Sequence, residues 1–411
     1  MKLIAGFLII GTLLSTCGKK DEADNQPDID FSSDKKAVEL IQSDNLFALD
    51  LFNEVSSFEE NENFMISPLS VAIALGMTYN GADGETKSAF EESLRLAGFS
   101  RHEINRIHGE LIRHLLTVDP KVTMEIANSL WVDQKFTLQQ EFADTNRHYY
   151  DAGINSLNFN DPSSVDIINN WVSENTHEKI TKILDQIPPM VAMYLINAIY
   201  YYGTWKYEFD EEDNRPINFN YSDGTSGEVE GMRMQEELLY YDHEIFRIAD
   251  LPYGNDKYSM MIMLPKGSYD ISDITANLTI DNWNEWNKNL QETELKLHMP
   301  KFKFEYKTLL NDALKNMGLG VAFGDNADLS LMVEEPADLF ISRVLHKTFV
   351  DVNEKGTEAA AVTAVEVSFT SVGGGDSVIP FLVDRPFLFV IREKTSNALV
   401  FMGKVGRPQY N

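Results

Sequence analysis

Apolar residues recur at helical spacing over 37–55, at Val38, Ile41, Leu46, Leu49 and Phe52, which predicts a helix with one buried face. The run Pro68-Leu69-Ser70-Val71-Ala72-Ile73-Ala74-Leu75 is apolar nearly all round, so a fully buried helix is expected over 68–79. Ser67 is placed to cap it by accepting a backbone N–H bond, and Pro68 suits the first helical position, where its missing N–H costs nothing. Gly81-Ala82-Asp83-Gly84 ends it. Further helices are predicted over 103–116, 163–186 and 308–317. Strand-like runs cover 194–202, 258–264 and 295–299. A terminal pair, 387–392 and 398–402, is joined by Glu393-Lys394-Thr395-Ser396-Asn397 and looks like a hairpin. Helices and antiparallel-type strands mix without βαβ regularity, so the class is α+β. No Pro/Gly/Ser-rich linker and no repeat divides 37–411, which predicts one large folded unit.

A different pattern occupies 356–367. With period two, Thr357, Ala359, Ala361, Thr363, Val365 and Val367 fall on one uncharged face, and Glu358 and Glu366 fall on the other. Gly373-Gly374-Gly375 follows, and no Pro lies between Gly356 and Val378. A strand with one buried face reads this way, and so does the start of an alanine-rich helix. The flanks decide between them.

The first residues carry a separate signal. Met1-Lys2 precedes an apolar run over 3–14, then small residues Ser15 and Thr16, then Cys17. That is the layout of a secretory signal, and the run is too short to span a bilayer comfortably. Leu14-Ser15-Thr16-Cys17 resembles a lipobox, so Cys17 is the expected lipidation site and 1–17 the leader. Gly18 follows, and Lys20-Asp21-Glu22 resembles the surface-export tag of some Gram-negative lipoproteins. Residues 18–36 are polar and charged, which predicts a flexible tether. The expectation is an outer-membrane lipid anchor, with periplasmic and surface display both open.

Composition narrows the chemistry. The chain has 411 residues, 43% hydrophobic and 24% charged, with a formal net charge of −29. A phosphate backbone would be repelled, so nucleic acid is not an expected partner, and such acidity favours a monomer. One cysteine allows no intramolecular disulfide. There is no G-x-S-x-G elbow, H-E-x-x-H pair or Walker loop, and Gly318, Gly320 and Gly324 miss the dinucleotide spacing. His102-Glu103 and His177-Glu178 read as solvated helix faces. Neither catalysis nor a cofactor or metal is expected.

Several motifs, taken together and in order, carry a resemblance. Glu354-Lys355-Gly356-Thr357-Glu358-Ala359-Ala360-Ala361 resembles the hinge of the serpins, a family of serine-protease inhibitors. Phe381-Leu382-Val383-Asp384-Arg385-Pro386-Phe387-Leu388-Phe389 resembles its C-terminal signature. Asn63-Phe64-Met65-Ile66-Ser67-Pro68-Leu69-Ser70 resembles its buried helix start, and Gly81-Ala82-Asp83-Gly84-Glu85-Thr86 the turn after it. Asn197-Ala198-Ile199-Tyr200 with Gly203-Thr204-Trp205 resembles a central-sheet strand, and Leu345-His346-Lys347 the strand entering the hinge.

The resemblance implies a mainly helical N-terminal part, a large central sheet, smaller sheets and an exposed reactive-centre loop. It implies an inhibitor that is cut as a suicide substrate and then traps its protease by inserting the loop into the sheet, with a non-inhibitory binding or carrier serpin as the alternative. Counting from the hinge Gly356, family spacing puts the reactive bond at Thr370-Ser371, with cleavage after Phe369 as the alternative. Thr370 suits elastase- or subtilisin-like proteases and Phe369 chymotrypsin-like ones, with some cysteine proteases as a further class. Ser67, Ser70, Asn197 and His346 match a buried polar cluster that gates sheet opening. Trp205 and Glu354 match residues at the top of the sheet, where insertion starts. None of these is catalytic.

Overall fold

The computed structural model describes residues 31–334, 339–357 and 378–410. Its first half runs α1 (Lys35–Phe58), β1 (Asn63–Ile66), α2 (Pro68–Tyr79), α3 (Gly84–Ser93), α4 (Arg101–Thr117), β2 (Val122–Asp133), α5 (Gln140–Tyr150), β3 (Gly153–Leu157), α6 (Ser163–Glu174) and β4 (Met193–Thr204). Then come β5 (Ile217–Asn220), β6 (Ser226–Val229), β7 (Gly231–Asp242), β8 (Phe246–Tyr253), β9 (Tyr258–Pro265), α7 (Ile271–Ala276), α8 (Ile280–Lys288), β10 (Gln291–Pro300) and β11 (Phe302–Leu309). The last elements are α9 (Asn311–Leu314), β12 (Arg343–Asn353), β13 (Gly356–Thr357), β14 (Ile379–Leu382), β15 (Phe387–Glu393) and β16 (Leu399–Val405).

A six-stranded sheet has the order β11-β12-β13-β4-β2-β3, and an eight-stranded sheet the order β1-β16-β15-β9-β8-β7-β10-β14. A two-stranded ribbon pairs β5 with β6. The class is α+β. Every residue of α2 is buried, as its all-round apolarity requires, and the helix packs on both β4 and β16. Ser67 does stand at its N-cap. Its hydroxyl donates to the Val400 carbonyl at 2.7 Å instead of accepting from the helix, because that carbonyl lies in the same dry layer and has to be satisfied.

Two predicted helices are shortened. Over 163–186 the helix ends at Glu174, and a strap continues to β4 with His177 and Glu178 both at positive φ. Ile180, Ile183 and Leu184 keep helical spacing, yet they bury themselves from the strap. Asn169 holds it there, its Oδ1 accepting from the N–H groups of Ile183 and Leu184 at 2.9 Å each and its Nδ2 donating to the Leu184 carbonyl. Over 308–317, Thr308 and Leu309 finish β11, and the helix starts only at Asn311. At the other end the folded body reaches back to Phe31, which is buried, and Asp34 caps α1 by accepting from Lys36 and Ala37.

Candidate functional site

The central sheet is closed at one end and wedged at the other. Over its lower rows β12 and β4 pair directly and in parallel, from Arg343 with Tyr194 to Lys347 with Ala198. Above that they part: 348–351 and 199–202 are not paired to each other. At the top β13 fills the space, Thr357 pairing with both Val352 and Gly203, and Gly356 with both Asn353 and Thr204. The chain after Asn353 therefore turns back and re-enters its own sheet, antiparallel to both neighbours. Beyond Thr357, the hinge residues Ala359, Ala360 and Ala361 and the bait residues Phe369, Thr370 and Ser371 lie outside the described residues, as does Cys17.

Local chemistry makes that turn. Gly356 has φ of 154°, and a Cβ there would stand 2.0 Å from the Gly203 carbonyl oxygen, so no other residue fits. Trp205 clamps the turn with its backbone N–H on the Lys355 carbonyl at 2.8 Å and its indole Nε1 on the Asn353 carbonyl at 2.9 Å. The indole stacks on Tyr253, with ring centroids 4.3 Å apart and planes 13° off parallel. Tyr253 in turn shares a 2.5 Å hydrogen bond between its hydroxyl and that of Thr357, which is buried. Thr357 thus points inward, onto an aromatic floor.

Glu354 is buried beside this clamp. Lys301 Nζ lies 3.1 Å from its carboxylate and 2.7 Å from that of Glu230, and the Asn214 side-chain amide donates to it. Burial pushes the Glu354 carboxyl up, but Asn214 and Lys301 outweigh it and hold the group below the ordinary range. The loop base is therefore fixed by an ion pair that ties β12 to β10 and β11.

Lower down, the structure brings Ser67, Ser70, Asn197 and His346 together. His346, Asn197 and Asn128 are cross-strand neighbours on β12, β4 and β2, so their side chains form one row. The row faces the start of α2. His346 Nε2 accepts from the Ser67 backbone N–H at 3.0 Å, so its proton sits on Nδ1, which donates to Asn197 Oδ1 at 2.8 Å. Asn197 Nδ2 donates to Asn128 Oδ1 at 2.7 Å and to Ser70 through its carbonyl and hydroxyl. The ring is fully buried, and burial lowers its pKa to about 3, so it is neutral. The network lies directly behind the last directly paired rows of β12 and β4.

Sequence reasoning missed Asn128, Asn214, Tyr253 and Lys301. Asn128 lies in a strand that also holds Thr123, Glu125 and Ser129, so its polarity gave no signal, and the others become neighbours of the hinge only through the sheet topology. A second group, buried His114, Glu393 and Ser396 with exposed Thr395, contains the residue types of a hydrolase. Glu393 is buried and spends its oxygens on Thr395, Ser396 and His114. Burial raises the Glu393 carboxyl, but these donors outweigh it and bring it to about 2. The arrangement pins the β15–β16 hairpin to α4. His102 is exposed, while His177 sits in the strap and meets Glu125 at 2.9 Å.

The family model for serpins, serine protease inhibitors, matches residues 42–408. Iripin-3 of Ixodes ricinus is 34% identical over 351 residues, covering 84% of this chain and 88% of its own. Among solved structures, the thermophilic serpin tengpin in its native state superposes with a TM-score of 0.83 at 34% identity, covering 90% of this chain and 94% of its own. Human thyroxine-binding globulin, solved in complex with its hormone, gives 0.82 at 26% identity, covering 91% and 100%.

Proposed function

The chain belongs to the serpin family, and from that premise we propose that it inhibits serine proteases as a suicide substrate. The observation that carries the reading is the wedge: Gly356 and Thr357 already pair on both sides at the top of a sheet whose strands have parted below them. In the proposed mechanism a protease attacks the bait bond, Thr370-Ser371 or the bond after Phe369, and forms an acyl-enzyme. The released segment follows Thr357 into the parting between β12 and β4. If the register of β13 continues, Ala361 reaches the row of Ile199 and Thr348, and Thr363 the row of Asn197 and His346. From Val362 onward each step must displace one direct β12–β4 pair. The side chains that enter first, at Ala359, Ala360 and Ala361, are small enough to pass between two strands. Ser67, Ser70, Asn197 and His346 then act as the gate, and Trp205 and Glu354 as the fixed base. Deacylation stalls because the protease is dragged along with the loop.

Thyroxine-binding globulin shares the fold and carries a hormone, so fold alone does not select inhibition. The second reading is a non-inhibitory carrier. The two are separated by mixing residues 18–411 with elastase-like, subtilisin-like and chymotrypsin-like proteases, followed by denaturing gels and the mass of the released C-terminal peptide. A complex that survives denaturant, with a peptide starting at Ser371 or Thr370, is the expected result. Clean cleavage across the panel without any complex would overturn inhibition and leave the carrier.

The proposed location is the outer membrane, through a lipid on Cys17, facing the periplasm or the exterior. Fatty-acid labelling of the full chain in a bacterial host tests this: label is expected on the wild type and lost in Cys17→Ala. Equal labelling of both would refute the anchor.

A further inference from the structure

Met190 is the most exposed large apolar side chain among the described residues, 90% open to solvent where the next, Phe58 and Ile167, reach 45%. Local geometry puts it there. Ile187-Pro188-Pro189 brings the strap up to β4, and Met190 follows at φ of 69°, a left-handed conformation that a residue with a side chain adopts uncommonly. Val191, Ala192 and Met193 then bury in succession as β4 begins, so the reversal at Met190 keeps its own side chain out while its successors go in. Single exposed apolar residues are ordinary, but one held in water at a strained backbone position is not.

The contrast with the other methionines is chemical. The chain has 15 of them, and Met1 lies outside the described residues. Of the rest, Met234 and Met317 are half-buried, and every other one except Met190 is at most 3% exposed. A thioether reacts with peroxide where the oxidant can reach sulfur, so burial ranks these groups. No methionine or cysteine lies in 358–377, so the segment that holds the bait bond offers no sulfur.

We propose that Met190 is the oxidation site of this chain: hydrogen peroxide, or another two-electron oxidant, converts it to the sulfoxide ahead of every other methionine in the folded body. The change turns an apolar knob into a polar one and leaves the core undisturbed. In the step, a sulfur lone pair attacks one peroxide oxygen, an S–O bond forms and the O–O bond breaks. Sulfur gives up two electrons, and the second oxygen leaves as water with both protons. The new sulfoxide oxygen is a hydrogen-bond acceptor, and it arises among donors, because Met190 stands at a cleft of about 780 Å³ whose lining includes Gln134, Lys135 and Asn160. Oxidation of a buried residue such as Met263 would instead bring an unmatched polar group into the apolar core.

The test uses the full folded chain without protease, so its outcome is independent of inhibition. Hydrogen peroxide is added in a graded series and quenched with free methionine. Digestion and peptide masses then read the gain of one oxygen at each methionine. Met190 is expected to react at least about tenfold faster than Met234 and Met317, and those before the buried ones. With Met190 alone oxidised, retention on a hydrophobic column should fall and the melting temperature should stay unchanged. Met190→Leu should lose both the early oxygen gain and the retention shift. In strong urea the preference should vanish, because unfolding exposes every thioether. Oxidation of Met234, Met317 or a buried methionine at the rate of Met190, a preference for Met190 that survives urea, or a lowered melting temperature after oxidation of Met190 alone would each overturn the proposal.

Discussion

His346 shows what a single residue contributes to the closed sheet. Its two ring nitrogens have opposite duties, Nε2 accepting from the Ser67 N–H and Nδ1 donating to Asn197, so only the neutral ring with the proton on Nδ1 satisfies both. Protonation would set two donors against each other in a dry layer. The folded pKa of about 3 lies below the ordinary value of 6.5, so the unfolded chain binds the proton first as pH falls. The stability this residue contributes is therefore complete above about 6.5. It is lost on acidification between there and about 3, at up to about 1.4 kcal/mol per pH unit. Comparing urea unfolding of the wild type and His346→Gln across this range should show a steeper acid loss in the wild type, since the variant has no ring to titrate. Parallel curves would mean that the ring is not held neutral. The residues of this network were legible in the sequence through their motifs. Asn128 was not, because one polar residue among several along β2 gives no hint of which neighbour it will face.

The elements that matter most for function are also those where periodicity reads least reliably. The strap after α6 keeps helical spacing at Ile180, Ile183 and Leu184, but its backbone bonds go to Asn169, so spacing recorded burial and not helix. In the proposed mechanism the strap has to yield as the sheet opens, because Lys347 of β12 donates to the Lys182 carbonyl at 3.1 Å and His177 reaches Glu125 of β2. The hinge, by contrast, was legible as a period-two pattern, since one face of an inserting strand has to be apolar and small. Thr357, the first position of that pattern and the one that lies in the described residues, is buried and bonded to Tyr253. The substitution Thr357→Arg drives this position out of its buried place beside Tyr253 and Trp205, so that insertion has to bring a charge back in, at a cost of several kcal/mol. Every 1.4 kcal/mol added to the insertion barrier slows that step about tenfold while deacylation is untouched. The variant should be cut in its bait loop and release active protease, with the number of inhibitor molecules consumed per protease rising at least about tenfold. Wild-type trapping efficiency in Thr357→Arg would show that insertion does not pass through this position.

At the scale of the whole molecule, the α+β class and the family were legible because buried helices and paired strands impose periodicities on local sequence. The parting of β12 from β4 was not, because it depends on two strands separated by most of the second half of the chain. Under the proposed mechanism, that parting leaves the uncleaved molecule above the energy of a form with one more strand in the sheet. The parted sheet's upper rows contribute no direct β12–β4 ladder, and its lower rows hold a parallel pairing from Arg343 with Tyr194 to Lys347 with Ala198. An inserted strand running antiparallel to both neighbours would replace that single ladder by two. Each added ladder bond contributes about 0.5–1.5 kcal/mol net, and burial of Val365 and Val367 about 1.5–3 kcal/mol apiece. Over a dozen residues this is on the order of ten kcal/mol, comparable to the stability of an entire domain. In the proposed mechanism, cutting the bait loop frees the segment to enter the sheet. Cleavage by a protease that is not trapped should therefore raise the thermal unfolding temperature, whereas nicking an ordinary surface loop lowers it or leaves it alone. The measurement is a pair of melting curves on the same preparation before and after limited proteolysis, with the cut site fixed by mass. A large upward shift follows if the two-ladder arrangement forms, and an unchanged or lower melting temperature would mean that the sheet accepts no further strand.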